Sequence, residues 1–247
     1  MKRGIYFLPN LLTTAGLFAG FYAIVAAMKG YFDTAAIAIF IGMIADGMDG
    51  RVARLLNSQT LFGAQYDSLA DMVTFGVAPA LVVYSASLHA LGKLGWLAAF
   101  LYTAATALRL ARFNTQTHDS DRRYFQGLPS PAAAGIIASM VWVSSVYEID
   151  GFMMAVPAAI LTVLIAGLMV SRIRYHSFKG VDFKGKVPFF TIVMMVVVMT
   201  AVALEPAEVL SILFFVYALS GPVMTLWQLR RMRSQKSGSR RRKPGHQ

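Results

Sequence analysis

The chain has 247 residues, of which 57% are hydrophobic and only 14% charged, and its formal net charge is +11. A mean hydropathy of +0.57 excludes an ordinary soluble domain. The lack of cysteine excludes disulfides, thiolate metal sites and a cysteine nucleophile, and the four histidines lack the paired spacing of a helical zinc site.

Apolar runs near the roughly 17–25 residues that a bilayer crossing requires follow one another along the whole chain. They predict transmembrane helices over residues 8–28, 32–50, 67–88, 94–113, 131–147, 152–171, 188–204 and 207–229. In the first of these, Gly16 and Gly20 have the spacing of a close helix contact. The sequence therefore predicts an all-α, polytopic membrane protein with about eight transmembrane helices.

The charges are distributed unequally between the two sides of this topology. If the N-terminus is cytoplasmic, every Lys and Arg except Lys29 and Lys93 falls in a cytoplasmic stretch. The opposite loops carry the acids Asp33, Glu148, Asp150, Glu205 and Glu208. This split follows the positive-inside rule and predicts a multi-pass protein of a bacterial-type inner membrane with both termini in the cytoplasm.

Four aspartates interrupt the apolar pattern where the predicted second and third helices reach the cytoplasmic side. Asp46 and Asp49 are three positions apart and Asp67 and Asp71 are four apart, so each pair lies on one helix face with Cβ atoms about 5–6 Å apart. Carboxylate oxygens are the ligands that Mg²⁺ and Mn²⁺ prefer. Without a cation, clustered carboxylates near lipid would repel one another. The pattern predicts a divalent-cation site, which is also compatible with an acid-lined cation transporter.

The acids belong to a longer pattern, D-x-x-D-G-x-x-A-R-x8-G-x3-D-x3-D, from Asp46 to Asp71. At every defined position it resembles the signature of the CDP-alcohol phosphatidyltransferases. The resemblance implies a membrane enzyme, plausibly homodimeric, in which an alcohol displaces CMP from a CDP-linked lipid. It also implies two Mg²⁺ or Mn²⁺ ions. Asp46 and Asp67 would bridge both ions, Asp49 would complete one and Asp71 the other, and Asp71 would in addition be the general base.

The resemblance further assigns residues around the acids to the CDP-diacylglycerol substrate. Gly50, Arg54 and Thr60 fall where the family contacts the nucleotide or its diphosphate, and Asn10 and Thr13 fall at another such position. An arginine can hold phosphate through two hydrogen bonds, and a glycine lets backbone approach a nucleotide closely. A membrane-boundary role for Arg54 and a capping role for Thr60 are the structural alternatives.

Segments outside the signature bear on the identity of the alcohol. Residues 75–80, 111–114, 127–135 and 177–180 are similar to the serine-using branch of the family, the phosphatidylserine synthases. This similarity implies transfer of phosphatidyl from CDP-diacylglycerol to L-serine, giving phosphatidylserine and CMP. Glycerol 3-phosphate and inositol are the alternative acceptors. Because serine brings a carboxylate, we hypothesise that Arg112 and Asn114 help to hold serine or the lipid phosphate; the alternative for Arg112 is a boundary residue.

The expected organisation has three parts. Residues 1–204 would form the phosphatidyltransferase membrane domain, 205–229 an additional C-terminal transmembrane helix, and 230–247 a basic cytoplasmic tail. The tail is either a determinant of topology or a point of attraction to anionic lipid. The expected partners are CDP-diacylglycerol, L-serine and the bilayer, and no nucleic acid.

Overall fold

A computed structural model describes residues 7–56, 58–115, 124–176 and 189–240. In these ranges the helices are α1 (Phe7–Met28), α2 (Phe32–Leu55), α3 (Leu61–Asp71), α4 (Ala78–Ala86), α5 (Lys93–Thr115), α6 (Ser130–Val146), α7 (Gly151–Val170), α8 (Phe189–Leu204) and α9 (Pro206–Arg240). A π-helical segment, Met72–Val77, joins α3 to α4, and a short 3₁₀ helix, Leu88–Leu91, precedes α5. Each predicted apolar run thus coincides with helix.

Five helical stretches in the described ranges are long and apolar enough to cross a membrane. They are Phe7–Met28, Leu61–Ala86, Lys93–Thr115, Gly151–Val170 and Pro206–Thr225. The helices α6 and α8 are apolar but shorter, and α2 carries several charged residues. A multi-pass membrane protein is therefore supported, and the count of eight crossings stays a prediction.

The helix ends differ from the expected ones on the side where the aspartates lie. The second helix continues to Leu55 instead of ending near 50, and the third begins at Leu61 instead of 67. Thr60 explains the earlier start, because its side chain caps the helix by accepting a hydrogen bond from the Gly63 amide at 3.0 Å. Asp46, Asp49 and Asp67 therefore lie inside helices, and Asp71 is the last residue of α3, where the π-helical segment begins. The last helix continues to Arg240, into the segment expected to be a tail.

The all-α class is confirmed, and one short two-stranded ladder accompanies the helices. Strand β1 (Tyr124–Gln126) pairs antiparallel with β2 (Arg174–His176). Each strand is three residues long, which is too short to show alternation in sequence. Burial raises the pKa of Tyr175 to about 12, and its hydroxyl donates to the carbonyl of Ala218 on α9 at 3.0 Å. The ladder therefore attaches α9 to the loops that follow α5 and α7.

Close glycine contacts hold α1 and α2 against the π-helical segment. A Cβ on Gly20 would lie 2.7 Å from the Cα of Thr74, and one on Gly42 would lie 2.6 Å from the Thr74 methyl group. The Thr74 hydroxyl donates to the carbonyl of Gly16 at 3.1 Å. The close contact predicted from Gly16 and Gly20 is confirmed, and small residues account for it because they let helix backbones approach one another.

The helix α6 lies at the centre of the described core. Its residues from Ser130 to Val141 are buried apart from Pro131, as expected of a helix that is apolar on every face. Helices α2, α4, α7 and α9 pack around it. By contrast, α8 has no buried residue in the part of the chain that the structure describes, and it packs against α9.

Candidate active site

The four signature aspartates converge on one cleft between α1, α2 and α3. The cleft continues into the π-helical segment, which contributes Thr74 and Phe75. Its lining comprises the aspartates, small residues and one aromatic side chain: Thr13, Gly16, Gly42, Asp46, Asp49, Asp67, Ala70, Asp71, Thr74 and Phe75. The two lining glycines, Gly16 and Gly42, let α1, α2 and the π-helical segment approach closely beside the acids.

Three of these carboxylates are close enough to share a cation. Oxygen atoms of Asp46, Asp49 and Asp67 all lie within 4.8 Å of one another. Asp71 lines the same cleft, one helical turn beyond Asp67, and its carboxyl interacts with that of Asp46. A set of carboxylate oxygens at this spacing fits a hard divalent cation such as Mg²⁺ or Mn²⁺. The donor set offers neither the nitrogen nor the sulfur ligands of a typical structural zinc site.

Asp49 is the most enclosed of the acids, with 5% of its surface exposed. The hydroxyl of Thr13 on α1 donates to Asp49 Oδ2 at 2.6 Å, and the carbonyl of Pro9 lies 3.1 Å from the same hydroxyl. A hydrogen bond to a ligand carboxylate fixes its orientation. Thr13 therefore lines the cleft and supports an acid, and its assignment to the nucleotide stays a prediction.

The π-helical segment directly after Asp71 contains a carbonyl that a neighbouring helix must satisfy. Pro79 has no N–H, so the carbonyl of Phe75 cannot receive the usual helical hydrogen bond from a residue four positions later. The Tyr102 hydroxyl on α5 donates to that carbonyl instead, at 3.0 Å. Buried carbonyls need such a partner, and π-helical turns often occur at functional sites. This segment connects the acids to α5.

The residues assigned to the nucleotide fall into two local groups, one at the end of α2 and one at the start of α3. A Cβ on Gly50 would meet one atom within 4 Å, the Nη1 of Arg54 at 3.8 Å, so the space above Gly50 is open and the guanidinium borders it. A Cβ on Gly63 would lie 3.1 Å from the Thr60 hydroxyl and 3.5 Å from Asn10 Oδ1. The absence of that Cβ lets the start of α3 approach α1. The capping alternative for Thr60 is thus observed, and its nucleotide role stays a prediction.

The two residues proposed to hold serine have other partners. Arg112 Nη2 donates to Gln126 Oε1 in β1. The Asn114 amide donates to the hydroxyl of Ser68, the neighbour of Asp67, at 3.0 Å. Neither Arg112 nor Asn114 lines the cleft. Their role toward serine stays a prediction, and the structure does not bring them together with the acids.

Arg109, one turn before Arg112, lies closer to the acids. Its Nη1 donates to the hydroxyl of Ser130 at 2.8 Å, and it is close enough to Asp71 for the two charges to attract each other. Sequence reasoning placed Arg109 at a helix end beside other arginines and did not assign it to the site. No sequence signal separates the two arginines, because the difference comes from a hydrogen bond to Ser130, 21 positions further along the chain.

The sequence model of the family described as CDP-alcohol phosphatidyltransferase matches residues 6–166. A CDP-diacylglycerol–serine O-phosphatidyltransferase of Helicobacter pylori is 36% identical over 224 residues, covering 90% of this chain and 92% of the relative. The enzyme of that name from Bacillus subtilis is 35% identical over 173 residues, covering 70% and 92%. An archaetidylserine synthase of Methanothermobacter thermautotrophicus is 33% identical over 175 residues, covering 70% and 71%. With the whole aspartate signature inside the matched range, the chain belongs to the CDP-alcohol phosphatidyltransferase family.

Proposed function

We propose that this protein transfers the phosphatidyl group of CDP-diacylglycerol to L-serine, giving phosphatidylserine and CMP. The observation that carries the proposal is the cleft in which Asp46, Asp49, Asp67 and Asp71 converge. The choice of serine is supported by relatives named for serine transfer, one of which aligns with 90% of this chain.

The carboxylates would hold two divalent cations, Mg²⁺ or Mn²⁺. Asp46 and Asp67 would contribute to both ions, Asp49 to one and Asp71 to the other. The donor set supports this assignment, because hard oxygen ligands from several acids are what these cations require. When bound, the ions would supply charge neutralisation for the diphosphate and the reacting phosphoryl oxygens.

The protein's own residues then have distinct roles. Asp71 accepts the proton of the serine hydroxyl, because a primary alcohol is a weak nucleophile at neutral pH. The serine oxygen forms a bond to the phosphorus that carries diacylglycerol, and the bond from that phosphorus to the CMP oxygen breaks. Arg54 contacts the diphosphate, and the open space above Gly50 admits the nucleotide. Electrostatic positioning of this kind provides most of the catalysis in phosphoryl transfer.

The first helix and the α2–α3 connection would complete the nucleotide site. Thr13 keeps Asp49 oriented through its 2.6 Å hydrogen bond. Asn10 and Thr60 both lie close to Gly63 at the start of α3. Both would contact the nucleotide of CDP-diacylglycerol.

The topology that fits this chemistry has eight crossings and both termini in the cytoplasm. The distribution of Lys and Arg supports it, and in this topology the cleft would open to the cytoplasm, where soluble serine enters and CMP leaves. Residues 1–204 would then form the catalytic membrane domain, 205–229 an additional helix, and 230–247 a basic cytoplasmic segment attracted to anionic lipid. The family resemblance also favours a homodimer.

The test is an assay of the purified protein in detergent with CDP-diacylglycerol, Mn²⁺ or Mg²⁺, and labelled L-serine, following CMP and lipid label together. We expect CMP and labelled lipid to form in equal amounts, and EDTA to stop both until metal is restored. CMP release with glycerol 3-phosphate or inositol, but not with serine, would overturn the acceptor. Metal flux without any CMP release would instead identify a cation transporter.

A further inference from the structure

Arg109 is a cation inside a membrane-spanning helix, and its hydrogen bonding is incomplete. Its Nη1 donates to the Ser130 hydroxyl at 2.8 Å. Its Nε is buried and has no hydrogen-bond partner among the residues that the structure describes. A buried charged donor without a partner is destabilising, and ionisable residues within membrane spans usually serve a functional purpose.

The surroundings of Arg109 add positive potential rather than neutralising it. Ser130 is the first residue of α6, a helix of 17 residues, so the positive end of that helix dipole points at the guanidinium. The other groups that interact with Arg109 are Tyr102 and Tyr217, which are neutral as phenols, and Asp71. Tyr102 already donates to the carbonyl of Phe75. Asp71 also belongs to the acid cluster, so Arg109 has no anionic partner that interacts with it alone.

The position of this cation relative to the acids matters for the acceptor. Arg109 does not line the cleft itself; it approaches Asp71 from the side of α5. Of the four signature acids, the proposed base Asp71 is the one whose charge acts on Arg109. An acceptor whose hydroxyl reaches Asp71 from the α5 side would bring its other end to the guanidinium.

We propose that Arg109 receives the carboxylate of the amino-acid acceptor and thereby holds the acceptor hydroxyl at Asp71. The proposal rests on the proposed function, because it concerns the acceptor of that reaction. A guanidinium binds a carboxylate through two parallel hydrogen bonds, and the unpartnered Nε supplies one suitable donor. Arg109 would then make the enzyme select amino-acid acceptors over acceptors that lack a carboxylate.

The alternative is that Arg109 only joins α5 to α6 through Ser130. Kinetics with two acceptors distinguish the roles: L-serine, and serinol, which keeps the amine and a hydroxyl but has a second hydroxymethyl group in place of the carboxylate. The variants are Arg109→Gln, Arg109→Lys and Ser130→Ala, with Arg172→Gln as a matched control at an exposed arginine.

We expect Arg109→Gln to raise the KM for serine about 30-fold or more, and to leave the KM for serinol and for CDP-diacylglycerol unchanged. Arg109→Lys should raise the KM for serine by a smaller factor and leave the KM for serinol unchanged. Lysine keeps the positive charge but lacks the planar guanidinium group that binds a carboxylate through two hydrogen bonds. Ser130→Ala should keep the preference for serine over serinol, and Arg172→Gln should match the wild type.

Equal losses with serine and serinol in Arg109→Gln, or an unchanged KM for serine, would overturn the proposal. If Arg109→Gln does not fold, Arg109→Lys decides: a KM for serine equal to that of the wild type would overturn it. A wild-type protein that uses no serine would instead remove the proposed function, and this inference with it. A wild type that uses serine while its Arg109 variants do not discriminate between acceptors would remove the inference alone.

Discussion

The first three helices and the eighth helix differ in how they are packed. Around α1, α2 and α3, glycines bring helix backbones into contact and a threonine hydroxyl bonds to a buried aspartate. In α8, no residue is buried within the described chain. In a bilayer, apolar surface alone does not drive helices together, so close packing and polar contacts do. The comparison teaches that close packing and polar contacts are concentrated around the acids, whereas α8 contributes no buried residue to the described core.

The range that matches the family model also includes the first three helices and excludes the eighth. It covers residues 6–166 and so ends within α7, before α8 and α9. The ninth helix is intermediate in how closely it is packed, since Ala207 and Ala218 are buried and the Tyr175 hydroxyl donates a hydrogen bond to its backbone. The closely packed region is therefore the one shared with the family, and changes there should cost more than changes in α8.

The largest effect is expected at the proposed base. Asp71→Asn keeps the size of the side chain but removes the proton acceptor, so turnover should fall about 10²–10⁴-fold. The melting temperature in detergent should not fall, because like-charge repulsion among the acids decreases. CMP release under saturating serine measures the effect. Turnover near that of the wild type would remove Asp71 from the base role.

The next largest effect tests the packing difference directly. Ile39 of α2 is 0% exposed, whereas Ile192 of α8 is 50% exposed. Ile39→Ala should lower the free energy of unfolding by about 2 kcal/mol or more through the cavity that it leaves. Ile192→Ala should change it by less than about 0.5 kcal/mol. Unfolding in mixed micelles compares the two, and similar losses would mean that α8 is packed against a further surface.

A smaller loss is expected from filling a close backbone contact. Gly20→Ala places a Cβ 2.7 Å from the Cα of Thr74, so the helices must separate at a cost of about 1–3 kcal/mol. Gly167→Ala is the matched control, since its Cβ would meet no atom within 4 Å. Thermal unfolding of both variants checks this. A control that is destabilised as much as Gly20→Ala would contradict the contact.

The smallest effect concerns support for one acid. Thr13→Val keeps the shape of the side chain but removes the hydrogen bond to Asp49, and should weaken Mn²⁺ binding about tenfold. Thr14→Val is the control, because the Thr14 hydroxyl bonds to the Asn10 carbonyl and to Tyr66 instead. Equal affinities of the two variants for Mn²⁺ would show that Thr13 does not support the site.

Much of this arrangement follows from local sequence. Hydropathy locates the helices, and helical spacing places Asp46 beside Asp49 and Asp67 beside Asp71. Helix ends are less predictable, because the hydrogen-bond pattern of α2 continues to Leu55 after the apolar pattern stops. Thr60 was recognisable as a cap, and the structure shows it as one.

The features that the sequence does not predict depend on contacts between residues that are far apart along the chain. The π-helical segment requires Tyr102 to satisfy the carbonyl of Phe75, 27 positions earlier. Arg109 differs from Arg112 because one meets Ser130 and the other Gln126. The strands β1 and β2 form only when two loops come together, and three residues carry no periodic signal. These features arise from tertiary packing, which no local pattern specifies.

The most direct test of the proposed centre is a titration of the purified protein with Mn²⁺, followed by electron paramagnetic resonance. We predict two bound ions in the wild type, turnover that rises with their occupancy, and loss of this binding in Asp67→Asn. Asp33→Asn, at an exposed acid in the first turn of α2, should bind as the wild type does. Unchanged binding in Asp67→Asn would contradict the assignment of the aspartate cleft as the cation site.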